Sequence, residues 1–165
     1  MITRHTPARV VSVLDPGLDF PELGPSYVGR HLRLEFHDIN IPTDKQVMPA
    51  AAHIDRLLRF FERWDPGDSM LIHCRAGIGR STAIAFIAAC FHNPRADEQD
   101  IADQLRRVSP NARPNRTLIG IADNAMERRG RMIGAIASTA RNIPWASVVE
   151  GKPFAIPSIY PACRP

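Results

Sequence analysis

Three short apolar runs mark the first half of the chain: residues 10–14 (VVSVL), 32–36 (LRLEF) and 70–73 (MLIH). The first and third are almost continuously apolar, as strands covered on both faces of a parallel sheet are. The second alternates Leu32, Leu34 and Phe36 with polar residues, the habit of a half-covered strand. Between residues 46 and 64 the period changes. Val47, Ala50, Ile54, Leu57, Leu58 and Phe61 recur every three or four positions, which predicts an amphipathic helix. Asp65-Pro66-Gly67-Asp68 stops it with turn chemistry. Residues 81 to about 92 are apolar on nearly every side, so that helix is predicted to be central and buried. Asn93-Pro94 ends it. Ile101, Leu105 and Val108, then Leu118, Ile121, Ala122 and Ala125, then Met132, Ile133 and Ile136 mark three further helices. The pattern predicts an α/β fold with a central, mostly parallel sheet flanked by helices.

Beyond residue 141 the periodicity is lost, and Pro144, Pro153, Pro157, Pro161 and Pro165 fall in the remainder. Proline at that density prevents helix and disfavours central strand. The expected organisation is a domain over residues 1–141 and a proline-rich arm over 142–165, packed on the same domain and pinned by Trp145 and Phe154. A length of 165 residues fits one domain, and the hydrophobic (44%) and charged (23%) fractions are ordinary for a soluble protein.

The net charge of +4 favours an anionic substrate. The basic residues are dispersed, so nucleic acid is not the expected partner. The one cluster, Arg128, Arg129 and Arg131, reads as a solvated helix end. Three cysteines make no disulfide framework, and no apolar run suits a signal peptide or a membrane span. The expected location is the reducing cytoplasm, where a free thiol persists. His5, His31, His37, His53 and His92 show no metal-ligand spacing and read as surface or core residues.

The segment His73-Cys74-Arg75-Ala76-Gly77-Ile78-Gly79-Arg80-Ser81-Thr82 carries the chemistry. A strand leads into a short loop with two glycines, and an apolar helix follows. Such a loop turns backbone N–H groups toward one point, and the positive end of the helix dipole faces the same point. Gly77 and Gly79 are expected to take the positive φ values that aim those groups inward. A cysteine at the mouth of an anion cradle, with a helix N-terminus and an arginine beside it, is favoured as the thiolate. A thiolate facing a site for a tetrahedral oxyanion is a nucleophile for phosphorus. Arg80 offers the planar fork that grips two phosphate oxygens at once.

His-Cys-x5-Arg-Ser/Thr resembles the signature of the protein tyrosine phosphatase superfamily, and the dual-specificity branch is the nearer likeness. The loop is longer than that of rhodanese-type sulfurtransferases. The resemblance implies that Cys74 is the nucleophile, that Arg80 and the N–H groups of residues Arg75, Ala76, Gly77, Ile78, Gly79 and Arg80 bind phosphate, that His73 orients the loop, and that Ser81 stabilises the departing thiolate. It also implies a general acid. Phe36-His37-Asp38 with Pro42 shortly after resembles the acid loop of the lipid-phosphatase branch, and the strand register leads into Asp38. Asp44 is the rival, since Asp38 precedes Cys74 by 36 residues and Asp44 by 30; its other reading is an N-cap for the helix near Gln46. Arg113-Pro114-Asn115 resembles the Pro-Asn segment of dual-specificity enzymes and is expected to brace the loop. Glu150-Gly151-Lys152-Pro153-Phe154 resembles the tail of small bacterial tyrosine-phosphatase-like proteins.

The function implied is hydrolysis of phosphate monoesters, phosphotyrosine or other phosphoprotein residues, through a cysteinyl-phosphate and without metal or cofactor. The alternatives are a phosphate-binding pseudo-phosphatase, a phosphoinositide or RNA 5′-phosphatase, and a thiol oxidoreductase, which would need a resolving cysteine; Cys90 lies in the apolar helix and reads as a buried hydrophobe, and Cys163 in the arm reads as unused.

Overall fold

The computed structural model describes residues 6–140 and 144–163. His5, Asn142 and Pro165 lie outside that range. Three strands, β1 (Arg9–Leu14), β2 (His31–Glu35) and β3 (Met70–His73), form a parallel sheet in the order β2-β1-β3. β1 is central, and Val10, Val11 and Val13 are fully buried in it. All three strands point the same way, so their carboxyl ends share one rim of the sheet. That rim is where open α/β folds place their ligands. Asp15 follows β1 there, His37 and Asp38 follow β2, and Cys74 follows β3.

Among the described residues five α-helices accompany the sheet: α1 (Ala51–Phe61) and α2 (Arg80–His92), which pack on it, and α3 (Glu98–Val108), α4 (Arg116–Ala125) and α5 (Arg131–Ser138), which pack on those helices and on one another. α2 has no polar face; Ala83, Ile84, Phe86, Ile87 and Cys90 are all fully buried. Each such large side chain removed from water stabilises the fold by roughly 1.5–3 kcal/mol. The central position predicted for this helix is the one observed. α1 starts later than its apolar period suggests. Residues 43–47 turn back on the rim instead: Thr43 and Gln46 form an isolated antiparallel bridge, and Val47 N–H donates to His37 Nδ1 at 2.9 Å. Pro49 then disfavours helix at the residue before it. The N-cap is Ala50, whose N–H donates to His53 Nδ1 at 3.0 Å. Asp44 therefore caps nothing; it is exposed on the turn.

Two further expectations are corrected. Trp145 is 67% exposed, with the Arg113 guanidinium 4.0 Å from its ring centroid. The arm is held by Phe154, Ile156 and Tyr160, which pack against the core, and by Asn93, whose side chain donates to Ser158 O and accepts from Tyr160 N–H, both at 2.8 Å. Arg128 is not a solvated helix end. It is 5% exposed, with Nη1 on Glu98 at 2.9 Å and Nη2 on the Cys90 carbonyl at 2.6 Å. Arg131 reaches the same carboxylate at 3.1 Å. Glu98 is nearly dry, and a buried carboxylate holds its charge only against such partners.

Candidate active site

β3 ends at His73, and the chain turns from Cys74 through Gly79 before α2 begins at Arg80. Cys74 Sγ lies 3.2 Å from Ser81 Oγ, at the first turn of α2, and accepts the Gly77 N–H at 3.2 Å. Gly77 has φ +74°, as its place in the turn demands. Gly79 does not; its φ is −101°. Its glycine is required by crowding, because a Cβ there would stand 1.9 Å from Asp38 Oδ2. Two separate segments brace the loop, the one before α4 through two bonds and the arm through one. Arg113 N–H donates to Ile78 O at 2.9 Å, Asn115 N–H to Gly79 O at 3.3 Å, and Gly151 N–H of the arm to Ala76 O at 2.8 Å. Thr82 Oγ1 donates to Gly79 O at 2.8 Å from within. Arg75 stays exposed.

Arg80 is 4% exposed. Its Nη1 donates to Asp15 Oδ1 at 2.7 Å and to Phe36 O at 2.6 Å, which clamps one edge of the guanidinium to the ends of β1 and β2. Nε is buried with no hydrogen-bond partner among the described residues. A buried donor without an acceptor costs about 1–3 kcal/mol, and an anion at the loop removes that cost. Asp15 thus belongs to the site although its sequence context, Leu14-Asp15-Pro16-Gly17, reads as a turn. Its position at the carboxyl end of a predicted parallel strand was the available signal.

Asp38 lies against the same loop. Oδ2 accepts the Arg80 N–H at 3.2 Å, and Oδ1 accepts from Asn115 Nδ2 at 2.8 Å. Asn115 is almost fully buried and caps α4 by accepting the Leu118 N–H at 3.0 Å, so one side chain ties the cap, the Cys74 loop and Asp38 together. The structure therefore brings Cys74, Arg80, Ser81 and Asp38 to one place. It leaves Asp44 out on its turn.

His73 reaches the site from behind. Its Nε2 is 2.6 Å from Ser12 Oγ, and Ser12 Oγ is 2.8 Å from His31 Nε2 on the far strand. Arg33 Nε–H donates to His31 Nδ1 at 3.4 Å. Burial pushes the His73 imidazole below its ordinary range, against a hydrogen bond to the Cys74 backbone that raises it. Burial first, then Arg33 and His73, pushes His31 down to about 4. Both rings are thus neutral, and one assignment of protons satisfies every contact. Arg33 donates to His31, His31 Nε2–H to Ser12, Ser12 O–H to His73 Nε2, and His73 Nδ1–H to the Cys74 backbone. The remaining cysteines stand apart. Cys90 is fully buried, and burial pushes its thiol well above the ordinary range. Cys163 is exposed in the arm. Neither placement suits a resolving thiol for Cys74.

A cavity of about 880 Å³ opens beside Cys74, between β3, α2 and residues 151–158 of the arm. Among the described residues no group of three or more His, Cys, Asp or Glu side chains forms a metal cluster, and no helix is long and apolar enough to cross a membrane.

The family model described as protein-tyrosine phosphatase matches residues 32–117, which run from β2 to the first turn of α4. No curated protein sequence matches the chain. Among solved structures, the human tyrosine phosphatase-like serine/threonine/tyrosine-interacting protein is similar, with a TM-score of 0.56 and 16% identity over 78% of this chain and 82% of that one. DUSP15 is similar with a TM-score of 0.54 and 18% identity over 87% and 83% of the two chains. The Yvh1 phosphatase domain from Chaetomium thermophilum follows at 0.51 and 18% identity over 79% and 84%. These likenesses are of fold, and they carry the α/β architecture read from the strand and helix pattern.

Proposed function

The chain belongs to the protein-tyrosine phosphatase family, and from that premise we propose that it hydrolyses phosphate monoesters through a cysteinyl-phosphate on Cys74. The observation that carries this reading is Arg80: one edge of its guanidinium is clamped by Asp15 and Phe36 O, and its buried Nε has no acceptor among the described residues, on the loop whose thiol Gly77 N–H and Ser81 already contact.

In the proposed reaction a phosphate ester enters the Cys74–Arg80 loop. Its equatorial oxygens take the loop N–H groups and Arg80 Nε. A phosphate oxygen at Arg80 N–H takes that donor from Asp38 and frees the carboxyl to face the ester oxygen. The Cys74 thiolate attacks phosphorus, and the S–P bond forms as the P–O ester bond breaks. Asp38 gives its proton to the leaving oxygen. Water then attacks the cysteinyl-phosphate, Asp38 takes a proton from it, and the S–P bond breaks with Ser81 Oγ donating to the departing sulfur. Asn115 keeps Asp38 over the loop, and Asp15 keeps Arg80 in register. No metal or cofactor enters these steps. A phosphoprotein is the substrate proposed, and a cytoplasmic location, where Cys74 stays reduced, goes with the reading.

The test is hydrolysis of para-nitrophenyl phosphate in chelator and reductant. Cys74→Ser is expected to abolish turnover, since a serine hydroxyl is not ionised near neutrality. Asp38→Asn is expected to lower kcat by about 10²–10⁴-fold at the optimum, and Asp44→Asn to leave it unchanged. Wild type that binds orthovanadate and hydrolyses nothing would replace the enzyme with a phosphate-binding module.

A further inference from the structure

The cavity beside Cys74 has a polar edge that none of these steps uses. Within β1, Val10 N–H donates to Arg30 O and Leu14 O accepts from Phe36 N–H, so the even-numbered residues turn their backbone groups toward β2. The odd-numbered residues turn theirs toward β3. With Arg9 opposite Met70 and Val11 opposite Ile72, the backbone groups that bond β1 are those of Leu71 and His73. Those of Met70 and Ile72 point the other way. Among the described residues no strand pairs with that edge of β3. The arm crosses opposite, but its backbone bonds go elsewhere: Gly151 N–H to Ala76 O, and Ser158 O to Asn93 Nδ2. A gap of about 880 Å³ therefore separates an open sheet edge from an extended arm, and Cys74 stands at its end.

We propose that this gap seats the extended flank of a phosphorylated polypeptide as a fourth strand along β3, with the phosphorylated residue at Cys74. The proposal rests on the phosphatase reading above and names the shape of its substrate. Three observations favour a peptide. An occupant of the gap displaces water from the N–H and C=O groups on the open edge of β3, and an extended backbone replaces those bonds at strand spacing; a lipid chain in the same place would leave them desolvated and unpaired. The walls, among them Trp64, Ile72, Ala88, Phe154 and Ile156, are apolar and suit the alternate side chains of such a strand. The charge is graded along the gap. Arg75 and Lys152 line the Cys74 end, where the phosphate sits, and Asp68 lines the opposite end. β3 has four residues, so the pairing length is about 13 Å at 3.3 Å per residue. It runs in one direction from Cys74, so recognition extends to one side of the phosphorylated residue.

The experiment compares kcat/KM for a bare phosphotyrosine amide with that for two phosphopeptides carrying four Val/Thr residues on the amino or the carboxyl side. Each peptide is also made with alternate backbone nitrogens methylated. The expected result is a gain on one side only, about tenfold for two added main-chain hydrogen bonds, lost on methylation. Ala155→Trp, on the exposed arm, and Ala88→Leu, on α2, narrow the gap from opposite walls. Each is expected to lower the ratio of peptide to para-nitrophenyl phosphate turnover. Fluorescence polarisation of the labelled peptides on Cys74→Ser reads the same preference without turnover, so an inactive enzyme and an empty gap are separate outcomes. A gain equal on both sides, a gain that survives methylation, or a gain shown instead by a long-chain alkyl phosphate overturns the proposal.

Discussion

Two arginines are buried almost equally, Arg80 at 4% and Arg128 at 5% exposure, and each is paired with a carboxylate and a main-chain carbonyl. They differ in what is left over. Arg128 sits among α2, α3 and α5, with bonds to Glu98, Pro94 O and Cys90 O, and with Arg131 it compensates the buried Glu98. Arg80 is clamped along one edge, and its Nε has no acceptor among the described residues. The arginine with no nitrogen buried and unpaired among the described residues is a brace. The arginine with a buried free donor at the rim of a parallel sheet is a binding group. Burial and pairing alone do not distinguish the two; a buried donor left without an acceptor does.

The largest effect expected breaks the comparison at Arg80. Arg80→Lys keeps a cation for Asp15 and loses the planar fork, so para-nitrophenyl phosphate turnover should fall on the order of 10²–10³-fold, the usual cost of removing a preorganised donor from developing charge. Thermal unfolding should barely move, because Asp15 is partly exposed and rehydrates. Arg128→Met should do the reverse. It removes one of the two cations on Glu98 and leaves only the half-exposed Arg131, which costs about 2 kcal/mol, and should lower Tm by roughly 6 °C in a chain of this size, while kcat of the folded fraction stays near wild type. If Arg128→Met lowers kcat at a temperature where circular dichroism shows the protein folded, the division into brace and binding group is wrong. A smaller effect sharpens the comparison from the ligand side. Orthovanadate should raise the Tm of wild type and of Arg128→Met alike, and of Arg80→Lys much less, since a ligand stabilises in proportion to ln(1 + [L]/Kd).

The same contrast explains what could be read before the structure. The strands, the buried α2 and the Cys74–Arg80 loop were legible because each is written locally, in a period or in residues a few positions apart. Asp15 was not, because its partner Arg80 is distant in sequence and the two meet only once β1 and β3 pair. Arg128 was misread for the same reason; beside Arg129 and Arg131 it looks like a charged surface, and its carboxylate, Glu98, sits on another helix. The start of α1 was placed too early because Val47 fits the helical period while its N–H is committed to His37, with Pro49 the overlooked stop. At Gly79 the local turn pattern points to a conformational need, whereas the glycine is required by the tertiary approach of Asp38.

The smallest expected effect separates the two regions by pH. On the Arg80 side, burial, Arg33 and His73 hold His31 at about 4 against an unfolded value of 6.5. Between those values the unfolded chain binds a proton that the folded chain refuses, so stability rises with pH across the window and falls as the solution is acidified through it. On the Arg128 side burial raises Glu98, but its hydrogen bond to Arg131 and the nearby charge of Arg131 and Arg128 outweigh this and leave it below the unfolded 4.5. Its contribution is complete above 4.5 and is lost only at lower pH. Acid should therefore weaken the sheet before it weakens the helix junction. Tm measured against pH should begin to fall below 6.5 in wild type. In His31→Gln, where an amide N–H can still donate to Ser12, that first decline should be shallower, with the share of the other half-buried imidazoles, His53, His73 and His92, left in place, and the later one retained. In Glu98→Gln the first should remain, and the decline below 4.5 should be reduced. A single decline common to all three proteins would mean that the two clusters do not titrate independently.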